Sequence, residues 1–202
     1  MKKQMILEIA VYQSTQTESV QAEAHQLLKK YQGFQDSLAL RSHDKSLWAD
    51  LVLWTTAEAA QAAAASVSSE KGFVQFLTSI TDLIVFAHYN GFDLPSFQRL
   101  SSSPVVELAA YDTKSDEDVE VRRKIHDALI QSQLPTVGIA TNRLLESTDA
   151  SAPNAVDVIG WCSTEDHGKG PVAVIKQYPE LASSLESFAM RMKVFSTFCK
   201  SI

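Results

Sequence analysis

Apolar and polar residues alternate through Ile6–Tyr12, with Leu7, Ile9 and Val11 on one side and Glu8, Ala10 and Tyr12 on the other, the period-two pattern of a strand. The pattern then changes. Val20, Ala24, Leu27, Leu28 and Tyr31 recur at steps of three and four, which predicts a helix over about 18–31 that opens on a Thr15-x-x-Glu18 capping box and ends at Gly33. Short strands follow at 37–41 and 47–54, separated by the turn His43-Asp44-Lys45-Ser46. Thr55-x-x-Glu58 then caps an alanine-rich helix, and a last strand runs over about 83–89. The order is βαββαβ.

A second run of the same order follows. Leu7–Tyr12 matches Val106–Tyr111, and Asp50–Trp54 matches Asp157–Trp161, which places Glu8 on Glu107, Tyr12 on Tyr111 and Trp54 on Trp161. His25 falls on His126 between these blocks, and the offset grows steadily along the chain, as small loop insertions in a second copy would make it. In this copy strands are expected near 105–111, 136–143, 155–162 and 191–199, and helices near 117–132 and 179–188. The expected organisation is repeat 1 over residues 1–92, a linker of turn formers over 93–104, and repeat 2 over 105–202. Each βαββαβ unit predicts an antiparallel sheet with helices on one face, the ferredoxin-like arrangement. The fold class is therefore α+β: tandem ferredoxin-like repeats whose bare sheet faces cover each other.

Leu51-Val52-Leu53-Trp54-Thr55-Thr56-Ala57-Glu58-Ala59 resembles the antibiotic-biosynthesis-monooxygenase-like domains of the dimeric α+β barrel superfamily, in which a strand ends in Trp and a helix opens with Glu-Ala. The second copy keeps Trp161 and Glu165 without the Ala. The resemblance implies that the two halves close an intramolecular barrel, as in fused tandem members. It also marks departures. Haem-degrading members carry a His on the second helix, where this chain has Ala62–Ala65. His167 follows Trp161 by only six residues, beside Gly168, Gly170 and Pro171, where a helix is not expected. Quinone-forming members carry an Asn on the first strand, where this chain has Glu8 and Tyr12, or Glu107 and Tyr111.

With 18 basic against 24 acidic residues the formal charge is −6, which argues against a nucleic-acid or anionic-membrane partner. The apolar stretch Met5–Val11 is too short to span a bilayer and carries no cleavage pattern, so a cytoplasmic location is expected. Two cysteines, Cys162 and Cys199, cannot build a disulfide framework or a metal site. No phosphate loop and no metal-ligand spacing is present, and no cofactor is expected.

If the faces bearing Glu8 and Asp50 line the barrel, with Leu7, Ile9 and Val11 turned to the helices, one cavity gathers Glu8, Tyr12, Asp50 and Trp54 with Glu107, Tyr111, Asp157 and Trp161. His88, alternating with Phe86 and Ile84, would reach the same space. Buried carboxylates can act as acid or base, and the tryptophans can form flat walls for an aromatic or hydrophobic ligand. Each also has a structural reading: carboxylates solvated at a barrel mouth, tyrosines bonded across strands, tryptophans filling the core. Glu58 and Glu165 read as caps, His25 and His126 as helix-boundary residues, and Arg122-Arg123-Lys124 as a solvated face. Two functional classes stay open. One is a cofactor-independent oxygenase or isomerase, which needs an open pocket beside the tryptophans; the other is a noncatalytic or stress-associated module with a packed barrel. A homodimer is a further expectation.

Overall fold

A computed structural model of the chain describes residues 5–113, 116–133, 138–150, 153–183 and 192–200. The first half contributes β1 (Met5–Ser14), α1 (Glu18–Leu28), β2 (Phe34–Ser42), β3 (Trp48–Trp54), α2 (Ala57–Val67), a short 3-10 turn (Lys71–Phe73), α3 (Val74–Ser79) and β4 (Ile80–Phe92). After α4 (Leu94–Ser102) come β5 (Val105–Tyr111), α5 (Asp116–Gln133), β6 (Ile139–Ser147), β7 (Ala155–Trp161), α6 (Thr164–Gln177), a second 3-10 turn (Pro179–Leu181) and β8 (Met192–Lys200). The eight strands form one closed antiparallel barrel in the order β1-β3-β2-β8-β5-β7-β6-β4. Within each half the run is fourth, first, third, second strand. Two short seams join the halves: Leu40–Ser42 pairs with Phe198–Lys200, and Tyr89 and Asn90 pair with Ser147 and Glu146.

Register decides what faces inward. Leu7, Ile9 and Val11 of β1 stand opposite Leu53, Leu51 and Ala49 of β3. These residues, with Leu40, Val85, Tyr89, Leu108, Val158 and Phe198, belong to one buried cluster drawn from all eight strands. The barrel centre is thus an apolar core. The alternate residues, Glu8, Ala10 and Tyr12 opposite Val52, Asp50 and Trp48, face the helices. This reverses the expected assignment of faces. Both faces of the sheet are buried, so hydrophobicity alone cannot say which is inside.

Several element boundaries also differ from expectation. The stretch 93–104, read as a linker, holds α4: Asp93 accepts a hydrogen bond from the Ser96 N–H at 2.7 Å, and Phe97 and Leu100 join the barrel core. At α1 the N-cap is Thr17, whose hydroxyl meets Ser19 Oγ and makes no capping bond to a described backbone N–H, and at α2 it is Thr56, which accepts from the Ala59 N–H. Gly168, Gly170 and Pro171 do not break the chain. Ser163 caps α6 by accepting from the Asp166 N–H at 3.0 Å and donating to its carboxylate at 2.7 Å, and the helix carries His167. Of the helix expected over 179–188, residues 184–188 lie outside the described residues. No described helix is long and apolar enough to cross a membrane.

Candidate functional site

The space worth attention lies outside the barrel, between the sheet and the helices of the first half. Its floor is Glu8, Ala10 and Tyr12 of β1, Asp50, Val52 and Trp54 of β3, and Phe86 of β4. Its roof comes from α1 (Ala24, His25, Leu28), α2 (Ala63, Ala64, Val67) and the α3 region (Phe73, Phe76, Leu77). The alanine run explains the gap, because side chains of one carbon on α2 cannot fill the distance to the sheet. The resulting cavity measures about 250 Å³. For comparison, an apolar cavity of about 150 Å³ takes up benzene.

Polar groups enter this apolar space in two sets. In the first, Asp50 is the hub. Tyr12 Oη donates to its Oδ2 at 2.7 Å, while Gln21 Nε2 and His25 Nε2 both reach Oδ1 at 2.7 Å. A carboxylate only accepts, so His25 carries its proton on Nε2, and Nδ1 faces Ser37 Oγ at 2.9 Å. Gln16 Nε2 donates in turn to Tyr12 Oη at 2.9 Å. Burial, then the Asp50 charge, push the Tyr12 phenol well above its ordinary range. This phenol is a fixed hydrogen-bond donor, unsuited to ionise.

In the second set, Glu8 and His88 are cross-strand partners. His88 Nε2 lies 3.2 Å from Glu8 Oε2, and Nδ1 lies 2.9 Å from Asp149 Oδ2. Burial pushes the Glu8 carboxyl above the usual carboxylate range, against the pull of His88. For His88, burial works downward, but hydrogen bonds and charge from Glu8 and Asp149 outweigh it and hold the ring above its ordinary value. The indole N–H of Trp54, wholly buried, reaches hydrogen-bonding geometry with no described residue, but it lies near enough to Glu8 to favour that carboxylate's ionised form.

The counterparts form a separate cluster in the second half and do not line this cavity. Tyr111 Oη donates to Asp157 Oδ2 at 2.8 Å, and Trp161 Nε1 donates to Glu107 Oε2 at 3.2 Å. His167 stands edge-on to Trp161 with Nε2 3.1 Å from the same Glu107 oxygen. Burial lifts the Asp157 carboxyl to about 7. The nine candidate residues therefore gather in two places, not around one barrel cavity. His88 does not line the cavity itself but bonds Glu8, which does.

Sequence reasoning passed over Gln21, Ser37, Asp149 and the role of His25. Gln21 and His25 stand four apart, on one face of α1, and both are buried. That spacing was the available signal. A haem held through a helix histidine does not fit this cavity: Ala63, Ala64 and Val67 cannot ligate iron, and both His25 nitrogens are engaged. Among the described residues no group of three or more His, Cys, Asp or Glu side chains is placed to hold a metal ion.

A closed eight-strand antiparallel barrel with helices outside is the architecture of the dimeric α+β barrel fold. Solved structures show the same architecture. An anthrone oxidase-like protein superposes with a TM-score of 0.67 at 11% identity, covering 98% of this chain and 92% of the other. A candidate monooxygenase from Fusobacterium nucleatum subsp. nucleatum gives 0.60 at 11% identity, covering 100% and 93%. A mutant chlorite dismutase from Candidatus Nitrospira defluvii gives 0.60 at 12%, covering 100% and 93%. At these identities the likeness establishes fold. No family model matches the chain, and neither does any curated protein.

Proposed function

We propose that this protein binds a small aromatic or hydrophobic molecule in the cavity between β1, β3, β4 and α1–α3, and that Glu8 is the acid–base group for cofactor-independent chemistry on it. One observation carries the reading: an apolar space larger than a benzene site, into which a buried carboxyl with raised proton affinity projects. A carboxylate so placed, kept ionised by His88, takes a proton from an electron-rich substrate more readily than a solvated one, since partial desolvation strengthens it as a base. The substrate anion then isomerises or meets molecular oxygen. Conversion of a methylene to a carbonyl by O2 releases one water and needs no external reductant. Similarity to an anthrone oxidase-like protein and a candidate monooxygenase supports this direction.

The two halves read as copies of one unit closing the barrel within a chain. The recurring Tyr–Asp pairs, Tyr12 with Asp50 and Tyr111 with Asp157, support that reading. A noncatalytic binding module is the second reading, favoured by the packed barrel centre.

The test is a fluorescence titration of Trp48→Phe/Trp161→Phe protein, in which Trp54 alone reports, with quinols, naphthols and small hydrophobic acids. A saturable quench is expected, lost when Ala64→Phe fills the cavity. No saturation with any probe would end the reading. Saturation with no Glu8-dependent turnover would favour the binding module.

A further inference from the structure

We propose that Asp149, on the loop between β6 and β7, is a positioning residue for the cavity carboxyl of Glu8 and acts on it through His88, so that the second half of the barrel sets the protonation of a cavity in the first. Its meaning for catalysis rests on Glu8 being the acid–base group proposed above.

The geometry is a chain of three side chains. One Asp149 oxygen, Oδ2, accepts from the His88 backbone N–H at 2.7 Å and faces ring Nδ1 at 2.9 Å, so backbone and ring are held from one point. Across the ring, Nε2 meets Glu8 Oε2. The loop is fastened independently: the Thr148 N–H donates to the His88 carbonyl at 2.8 Å, and Ser147 Oγ accepts from the Asp149 N–H at 2.9 Å. Side-chain exposure is 6% for His88 and 12% for Glu8 against 26% for Asp149. Asp149 is the member that meets solvent.

A neutral imidazole donates through one nitrogen only, whereas here each ring nitrogen faces a carboxylate oxygen. The arrangement suits the imidazolium. That cation in turn favours ionised Glu8 against its burial. The other groups bearing on the pair are Asp50 from β3, whose charge disfavours ionisation of Glu8, the Trp54 indole, and Phe86, edge-on to the His88 ring at 5.5 Å. Without Asp149 the ring keeps one carboxylate, loses charge near neutral pH, and leaves Glu8 without its cation.

The experiment is carbon-detected NMR titration of the His88 ring and the Glu8 carboxyl, which needs no ligand. Asp149→Asn is expected to lower the His88 midpoint and raise that of Glu8, each by about one unit or more. Thr148→Ala removes the Thr148 hydroxyl bond to the His88 carbonyl and keeps the charge, and should move neither midpoint. Unmoved midpoints in Asp149→Asn, or equal movement in Thr148→Ala, would overturn the proposal. Should Asp149→Asn fail to fold, the unaltered protein still decides. At pH 6.5 its His88 ring should be more than half charged, and a neutral ring refutes the assignment. A cavity that takes up no probe ends the functional reading and leaves this one standing; unmoved midpoints do the converse.

Discussion

Asp50 and Asp157 occupy matching places on β3 and β7, and each receives a tyrosine hydroxyl from the first strand of its half. Their surroundings differ. Around Asp50, α1 supplies two donors, Gln21 and His25, so the carboxylate has three partners. Around Asp157, α5 supplies the charge of Arg122, and among the described residues Oδ1 has no hydrogen-bond partner. The glutamates differ too: Glu107 is engaged by Trp161 at 3.2 Å and by His167, whereas in the first half His88 takes one Glu8 oxygen and the Trp54 indole bears on Glu8 without reaching hydrogen-bonding geometry with any described residue. One backbone plan thus yields a well-satisfied anion beside an open cavity in one half, and a poorly satisfied acid beside a closed pair in the other.

The largest test of that contrast is truncation of the two aspartates. Asp50→Ala strands three donors, one a histidine, and should cost about 3–5 kcal/mol in urea unfolding. Asp157→Ala removes one tyrosine bond and should cost about 1–2 kcal/mol. Equal losses would break the comparison.

A second test uses pH. Native Asp157 holds its proton up to about 7, while the unfolded chain releases it near 3.8, so the native state binds the extra proton between those values. Stability from this group is present below that window and falls as pH rises through it. Asp157→Asn should flatten the decline seen in thermal melts between about pH 4 and 7, and a melt series with an unchanged slope would contradict the assignment.

The smallest effect concerns the tryptophans. Whereas Trp54→Phe gives up only a looser approach of the indole to Glu8, Trp161→Phe gives up a formed hydrogen bond to Glu107. It should therefore be the more destabilising of the two, by about 1 kcal/mol in chemical denaturation. Trp54→Phe should act mainly on probe uptake.

Much of this was legible in the sequence. Period-two alternation sorted Glu8, Tyr12, Asp50 and Trp54 onto one face, and the structure keeps them together. The direction of that face was not legible, because Leu7, Ile9 and Val11 are as suited to a barrel centre as to a helix. Helix α4 was hidden because Asp93 and Pro95 serve both as turn formers and as the opening of a helix. His167 was misplaced by giving Gly168 and Pro171 more weight than the Ser163–Asp166 cap. Asp149 could not have been found from pattern, since its partner His88 lies sixty-one residues away and only barrel closure brings them together.

That closure within a single chain has a consequence for how such a molecule can change. When a barrel is assembled from two identical subunits, every substitution occurs twice and the assembly comes apart on dilution. Here the halves are covalently joined, so closing the barrel is an intramolecular step and each side accepts its own replacements. Arg122 on α5 acts on Asp157, whereas Gln21 on α1 bonds Asp50, so the two sides already differ in charge. Two workshops under one roof need not practise the same trade.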